Sequence, residues 1–466
     1  MNYFKLIVSK SKWTTLSAVS QVLAQALILL IITRFVDLPT LGIFALASSL
    51  VFFFYTLLDI SFTSSLIHED NPGTEDYSAV LHLNFLFSFI GFVSCIIAGV
   101  LLSYLYNNFD ISRITLGLAP ILLLHAFNAV QIAGLKKRMS FEDISKIETL
   151  SVLFYFLIAL LLIFQGFGIW ALVIGLVIRH AFVTLLLIKT DNISCQIGFT
   201  VESLVLRKHL KYGQFILLEK SFSTFISYID VFLLNHFLGL SLVGVYDIFK
   251  KVIVRPFIVL YTAVENVVFP LLSNHKNEVY KYKTIYNQFL SFSNLFFIPL
   301  SIILYINVYW IIKIFPEAYA DHVHVFKALC IFIISVIIFN PIDILLYSKG
   351  KTKAFMYWML SYSLPLILFM IFSLQFGLVA FINTLTISYL ILNSLAYFVF
   401  FRSDKAIDVN KYFMPTIVFL SLFGLVLLIE SYGLSYPYFE IISSITVVIV
   451  VFLFWLFTKS SLKKLG

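Results

Sequence analysis

Apolar runs of about twenty residues recur along the whole chain, the length at which an α-helix crosses about 30 Å of hydrocarbon. They fall at 13–34, 41–66, 77–106, 112–134, 148–166, 169–189, 212–237, 243–272, 286–309, 323–348, 354–375, 377–401, 412–431 and 439–457. Fourteen spans leave little chain for anything else. With 61% of 466 residues hydrophobic and 12% charged, there is more apolar side chain than a water-soluble core can bury. The sequence predicts an all-α integral membrane protein of about fourteen transmembrane helices.

Lys and Arg between the runs set the orientation. With the N-terminus inside, twenty-three of them lie in or beside the cytoplasmic segments, against Arg34, Arg113 and Lys313 on or near the outside. Both termini are expected in the cytoplasm and the chain in the inner (plasma) membrane. The acidic loop HEDNPGTED departs locally from this pattern. The opening MNYFKLIVSKSKW is a short basic lead to a run too long for a signal peptide, so the first helix is expected to stay. The net charge of +8 is spread over short loops, which fits cytoplasmic loops and not nucleic-acid binding. Cys95, Cys195 and Cys330 are isolated, so neither a disulfide framework nor a metal site is expected.

The chain repeats itself. ITRFVDLPTLGIFAL (Ile32 to Leu46) aligns with LNHFLGLSLVGVYDI (Leu234 to Ile248) at an offset of 202 residues, pairing Phe35 with Phe237, Leu38 with Leu240 and Gly42 with Gly244. GLKKRMSF (134–141) resembles KGKTKAF (349–355), each after the fourth span of its half. An even number of spans separates the copies, so the repeat is parallel, with its pseudo-two-fold axis along the membrane normal. The expected plan is an N-lobe (1–190, spans one to six), a cytoplasmic connector (191–211), a C-lobe (212–401, spans seven to twelve) and a C-terminal helix pair (402–466).

KWTTLSAVSQVLAQ and TRFVDLPTLGIFALASSL near the start, LLDISF at 57–62, GVYDIFKK in span eight and NPIDILLYSKGK in span ten resemble the polysaccharide flippases of the O-antigen and exopolysaccharide type (Wzx-like). These belong to the multidrug/oligosaccharidyl-lipid/polysaccharide exporter superfamily. The resemblance implies a MATE-like fold and alternating access between two lobes. It implies that an undecaprenyl-pyrophosphate-linked oligosaccharide repeat unit is moved from the cytoplasmic to the outer face, with polysaccharide polymerase and glycosyltransferases as partners beside the membrane lipids.

Charges inside the spans are the candidate functional residues, because an Arg, Lys or Asp at a span centre costs about 2.5 to 3.5 kcal/mol. Asp247, Lys250, Lys251 and Arg255 fall within an arc of about 140° on a regular helix and share one side. In the alternative reading the helix starts near Val252, leaving Lys250 and Lys251 in an outer loop. Arg179 sits near mid-membrane in IWALVIGLVIRHAFVTLLLIK and has to be paired or hydrated. Lys220 and Asp230 lie ten residues apart, too far to bridge within one helix, and Glu219 is expected to snorkel or pair with Lys220. The cations Arg255, Lys251, Lys250, Arg179, Lys220 and Arg34 are the candidate substrate-binding set, suited to a pyrophosphate. Asp59, Asp230 and Asp247 are the candidate coupling or charge-balancing set, for H+ or Na+ or for neutralising the cations when the site is empty. No cofactor is expected.

A transporter fits better than an enzyme. A cation antiporter for drugs or metabolites, of the same superfamily, is the alternative and would favour an acidic cavity. A membrane-embedded polysaccharide polymerase would need a sizeable outer loop, and IIKIFPEAYADH is too short for that.

Overall fold

A computed structural model of the chain describes residues 3–60, 62–69, 72–190 and 202–401, with five further positions between 417 and 426. The described residues are helices joined by short turns. The first are α1 (Tyr3–Ile32), α2 (Leu38–Ile60), the short α3 (Thr63–His68), α4 (Thr74–Leu105), α5 (Phe109–Leu118) and α6 (Pro120–Lys137). Next come α7 (Phe141–Phe164), α8 (Trp170–Thr190), α9 (Ser203–Leu238) and α10 (Leu240–Phe249). A π-helical turn (Lys250–Val254) leads into α11 (Arg255–Asn274), followed by α12 (Val279–Ile306), α13 (Val308–Ile312) and α14 (Val323–Phe339). The last are α15 (Pro341–Ser348), α16 (Thr352–Leu374) and α17 (Leu378–Ala396).

Among the described residues, ten helical segments are long and apolar enough to cross a membrane. With α1 and α9 they supply the first twelve expected spans. Spans thirteen and fourteen lie outside the described residues, apart from those five positions. The helix α9 begins at Ser203, so the end of the expected connector is helical and continuous with span seven, while 191–201 lies outside the described residues.

The way α4 buries its surface fits a lipid solvent. Asn84, Ser88, Gly91, Cys95, Gly99 and Ser103 form an i, i+3/i+4 stripe that is buried against the protein, while Phe85, Leu86, Phe89, Ile97, Leu101 and Leu105 point outward. Lipid tails accept the large apolar side chains, and small residues let helix backbones approach.

The chain divides into two compact units, 1–248 and 249–466. In the first, α1 and α8 pack on α7, α2 on α9, and α4 on α5 and α6. In the second, α12 and α17 pack on α14, α16 on α17, and α11 on α12 and α15. An aromatic core in this unit joins Phe249, Phe315, Tyr319 and Phe326, with ring centroids of contacting pairs 5.3 to 5.6 Å apart.

The backbone repeats as the sequence does. After α6, Met139 takes φ +57° and the Ser140 N–H donates to the Leu135 carbonyl; after α15, Gly350 takes φ +71° and the Lys351 N–H donates to the Leu346 carbonyl. Both are Schellman turns, with a left-handed residue closing the helix. The second pair of similar segments thus folds into the same cap twice.

Candidate functional site

The basic stretch of span eight is helical throughout. The segment Leu240–Asn274 is one of the ten candidate spans, and Lys250 lies ten residues into it, about 15 Å at 1.5 Å per residue. The helix thus starts ten residues before Lys250 and not near Val252. The outer-loop reading of Lys250 and Lys251 is therefore wrong. The regular-helix reading also needs correction, because Lys250–Val254 is a π turn in which the Arg255 N–H donates to the Lys250 carbonyl. The cause is Pro256, which has no N–H and whose ring crowds the Val252 carbonyl four residues back. Widening to i→i+5 bonding relieves that crowding.

The wider turn changes which way Arg255 points. On a regular helix Lys250 and Arg255 differ by about 140°; one extra residue in the turn reduces this to about 40°, between Lys250 and Lys251. Lys250 and Lys251 are half-buried and Arg255 is exposed. The π turn thus gathers three cations of the second unit into a narrower group than the sequence periodicity gives.

In the first unit, Arg179 of α8 lies within electrostatic reach of Tyr55 of α2 and of Tyr155 and Glu148 of α7. Ser17 of α1 donates to Glu148 Oε2 at 3.2 Å. The Tyr55 ring lies against His125 of α6, centroids 3.9 Å apart, and edge-on to His180 at 5.6 Å. His180 Nδ1 donates to the Leu176 carbonyl at 2.8 Å, and Thr184 Oγ1 donates to Asn128 Oδ1 at 2.8 Å. Arg179 therefore belongs to a polar cluster drawn from five helices. Sequence reading found its arginine and missed Tyr55, His125, Glu148 and His180, which share no spacing that would mark them.

Asp230 and Asp247 are both buried, 4% and 6% exposed. Tyr246 Oη donates to Asp230 Oδ2 at 2.7 Å, and the Val231 N–H donates to its Oδ1 at 2.8 Å. Lys220 is half-buried on α9. Arg34 is exposed in the turn between α1 and α2, at a helix end and not at mid-span. The side chains of Asp59 and Glu219 lie outside the described residues. Two further acids were missed: Glu265 of α11 and Asp343 of α15 both lie within electrostatic reach of the buried Tyr261.

The acidic loop that broke the charge pattern has basic partners. The fully buried His209 joins Asp76 Oδ1 through Nε2 at 2.9 Å and Ser65 Oγ through Nδ1 at 2.7 Å. Lys208 pairs with Glu69 at 2.6 Å, and Lys137 donates to the Glu69 carbonyl. The Glu69 carboxylate raises the Lys208 ammonium above the usual lysine range.

Membrane-length helices in a parallel repeat are the fold of the multidrug/oligosaccharidyl-lipid/polysaccharide superfamily. The family model described as "Polysaccharide biosynthesis protein" matches residues 31–324, and the chain belongs to that family. It is 22% identical over 358 residues to the teichuronic acid biosynthesis protein TuaB of Bacillus subtilis (strain 168), covering 76% of this chain and 74% of that protein. It is 20% identical over 353 residues to the lipopolysaccharide biosynthesis protein WzxC of Escherichia coli (strain K12), covering 74% and 70%. Among solved structures, the lipid II flippase MurJ in an inward closed conformation matches with a TM-score of 0.73 at 17% identity, over 96% of this chain and 98% of that one. An inward-facing multidrug resistance MATE family transporter matches with a TM-score of 0.58 at 14% identity, over 84% and 93%.

Proposed function

We propose that the protein is a flippase that carries an undecaprenyl-pyrophosphate-linked oligosaccharide repeat unit from the cytoplasmic to the outer face of the plasma membrane by alternating access. The observation that carries this reading is the group of Lys250, Lys251 and Arg255 gathered by a π turn inside a helix long and apolar enough to span a membrane. A pyrophosphate cannot cross hydrocarbon bare. Two ammonium groups and a planar two-pronged guanidinium compensate its charge without reading the sugar, and the polyprenyl tail stays in lipid. Two relatives named for cell-envelope polysaccharide synthesis, and a lipid flippase of the same fold, support the same substrate class.

Lys220, Arg179 and Arg34 are assigned to the path of the anionic head, and Asp59, Asp230 and Asp247 to charge balance or to coupling by H+ or Na+. The orientation has both termini in the cytoplasm. Glycosyltransferases supply the lipid-linked unit and a polymerase consumes it. The antiporter reading is disfavoured because a cationic substrate would be repelled by the basic group of span eight.

Deleting the gene should leave lipid-linked repeat units on the cytoplasmic face and remove the corresponding surface glycan without lowering synthesis of the unit. Arg255→Ala should lower export about ten- to hundredfold, since a hydrogen bond to a charged group contributes about 1.5 to 3 kcal/mol. Arg255→Lys should keep part of the activity. A clean deletion with normal surface glycan would refute the substrate assignment.

A further inference from the structure

We propose that Gly42 and Gly244 are a matched pair of positioning residues that set how firmly the starts of α2 and α10 are held together, and with it the balance between the protein's two access states. The proposal rests on the alternating-access reading above. The repeat offset of 202 residues carries Leu38 onto Leu240 and Gly42 onto Gly244. In the structure the pairs are crossed over: Gly42 faces the backbone of Leu240, and Gly244 faces the backbone of Leu38. Each repeat returns the contact it receives, as at a two-fold interface. The pseudo-symmetry axis of these segments therefore runs through the crossing, and α2 and the start of α10, residues 240–248, both belong to the first unit.

The crossing is backbone against backbone. A Cβ on Gly42 would overlap the Leu240 carbonyl oxygen and lie 2.7 Å from its carbon and 3.1 Å from its Cα. One on Gly244 would overlap the Leu38 carbonyl oxygen and lie 3.1 Å from the Gly42 nitrogen. Other tightly packed glycines of the unit differ in kind. A Cβ on Gly99 would meet the Thr115 side chain at 2.8 Å, and one on Gly175 the Tyr155 ring at 2.9 Å. Those neighbours are side chains that can turn aside, whereas a first-turn carbonyl cannot move without its helix. Gly239, at φ +82° with open space around it, makes the sharp turn from α9 that brings the first turn of α10 onto α2.

A methyl group at either glycine penalises only the state in which the two helix starts touch. The state in which they part is unaffected. Overpacking by one methyl at a rigid contact shifts the ratio of the two states by about tenfold, which is about 1.4 kcal/mol. Because both substitutions disrupt one shared contact, their effects are equal and the double variant adds little to either single one.

The test uses the full chain in intact cells, with Cys95, Cys195 and Cys330 replaced and the pair Leu38→Cys and Leu240→Cys joined by a short bismaleimide. Cross-linking should be efficient in this parent, and about tenfold slower with Gly42→Ala, with Gly244→Ala and with both together. It should be unchanged with Gly99→Ala. Unchanged cross-linking in either single variant, or a double variant slowed about a hundredfold, overturns the matched pair. Should a glycine variant fail to accumulate, the cross-link itself decides: joined protein must stop exporting, and export by joined protein overturns the proposal. If instead the gene deletion leaves surface glycan intact, the flippase reading fails on its own, and the cross-linking rates still report on the glycines.

Discussion

Replacing Pro256 by alanine tests whether the π turn aims Arg255. Alanine restores an N–H that can donate to the Val252 carbonyl, and it removes the ring that crowds that oxygen. A regular α-helix then gains about 1 kcal/mol from the bond, and up to about 3 kcal/mol from exchanging proline for alanine in a helix interior. With its cause removed, Lys250–Val254 should close to i→i+4 bonding. Arg255 then turns by about 100° relative to Lys250. At a side-chain radius of about 5 to 6 Å, that rotation carries the guanidinium about 8 to 9 Å around the helix. It leaves the arc between the two lysines. Export of the lipid-linked unit should therefore fall about as far as in Arg255→Ala, while the protein accumulates normally and melts at the same or a higher temperature. Pro270→Ala, in α11 but away from the basic group, should leave export unchanged. Wild-type export by a well-accumulated Pro256→Ala variant would show that the register of Arg255 is irrelevant.

Cysteines introduced at Lys137, Lys208 and Lys351 should be shielded from an impermeant thiol reagent in whole cells while one at Glu317 labels, and external labelling at Lys208 would overturn the orientation. Tyr246→Phe removes a donor from the buried Asp230 and should cost about 2 kcal/mol, seen as a lower melting temperature in detergent. His209→Ala removes a fully buried side chain and its bonds to Asp76 and Ser65 and should cost a similar amount, whereas Lys208→Ala, which breaks a half-exposed pair, should change stability by less than about 0.5 kcal/mol. Because Glu69 raises the Lys208 pKa, any contribution of that pair is complete below the ordinary lysine range and lost only as pH rises through the raised value. The melting temperature should therefore show no Lys208-dependent change between neutral and mildly alkaline pH.

The spans were legible because a lipid solvent imposes one rule on all of them, and twelve runs of apolar sequence became helices where that rule puts them. The repeat was legible as similarity. Similarity says that Gly42 and Gly244 occupy equivalent places, and it does not say that equivalent places touch. The π turn had a signal in Pro256, but a periodicity argument assigns every residue the same rotation and cannot register a local widening. The partners of the acidic loop on α9, Lys208 and His209, lie more than 130 residues from Glu69 and Asp76, follow from helix packing and leave no trace in spacing.

The structure also separates two arginines that looked alike in the sequence. Each lies inside a span, where a charged side chain is costly at the hydrocarbon centre. Arg179 has Glu148, Tyr155 and Tyr55 around it, so its charge is met by groups of its own unit. Removing it would leave the half-buried Glu148 without that cation, and breaking a fully buried pair costs about 3 to 5 kcal/mol, which sets the upper bound here. Arg255 is exposed, follows directly on the π turn, and its side chain forms no hydrogen bond or ion pair among the described residues. Its removal strands nothing. Arg179→Ala should therefore make the protein scarce, and Arg255→Ala should leave it abundant but exporting about ten- to hundredfold less. Equal abundance of the two variants, measured by immunoblot of the membrane fraction, would show that the neighbours of Arg179 do not hold it in a structural pair.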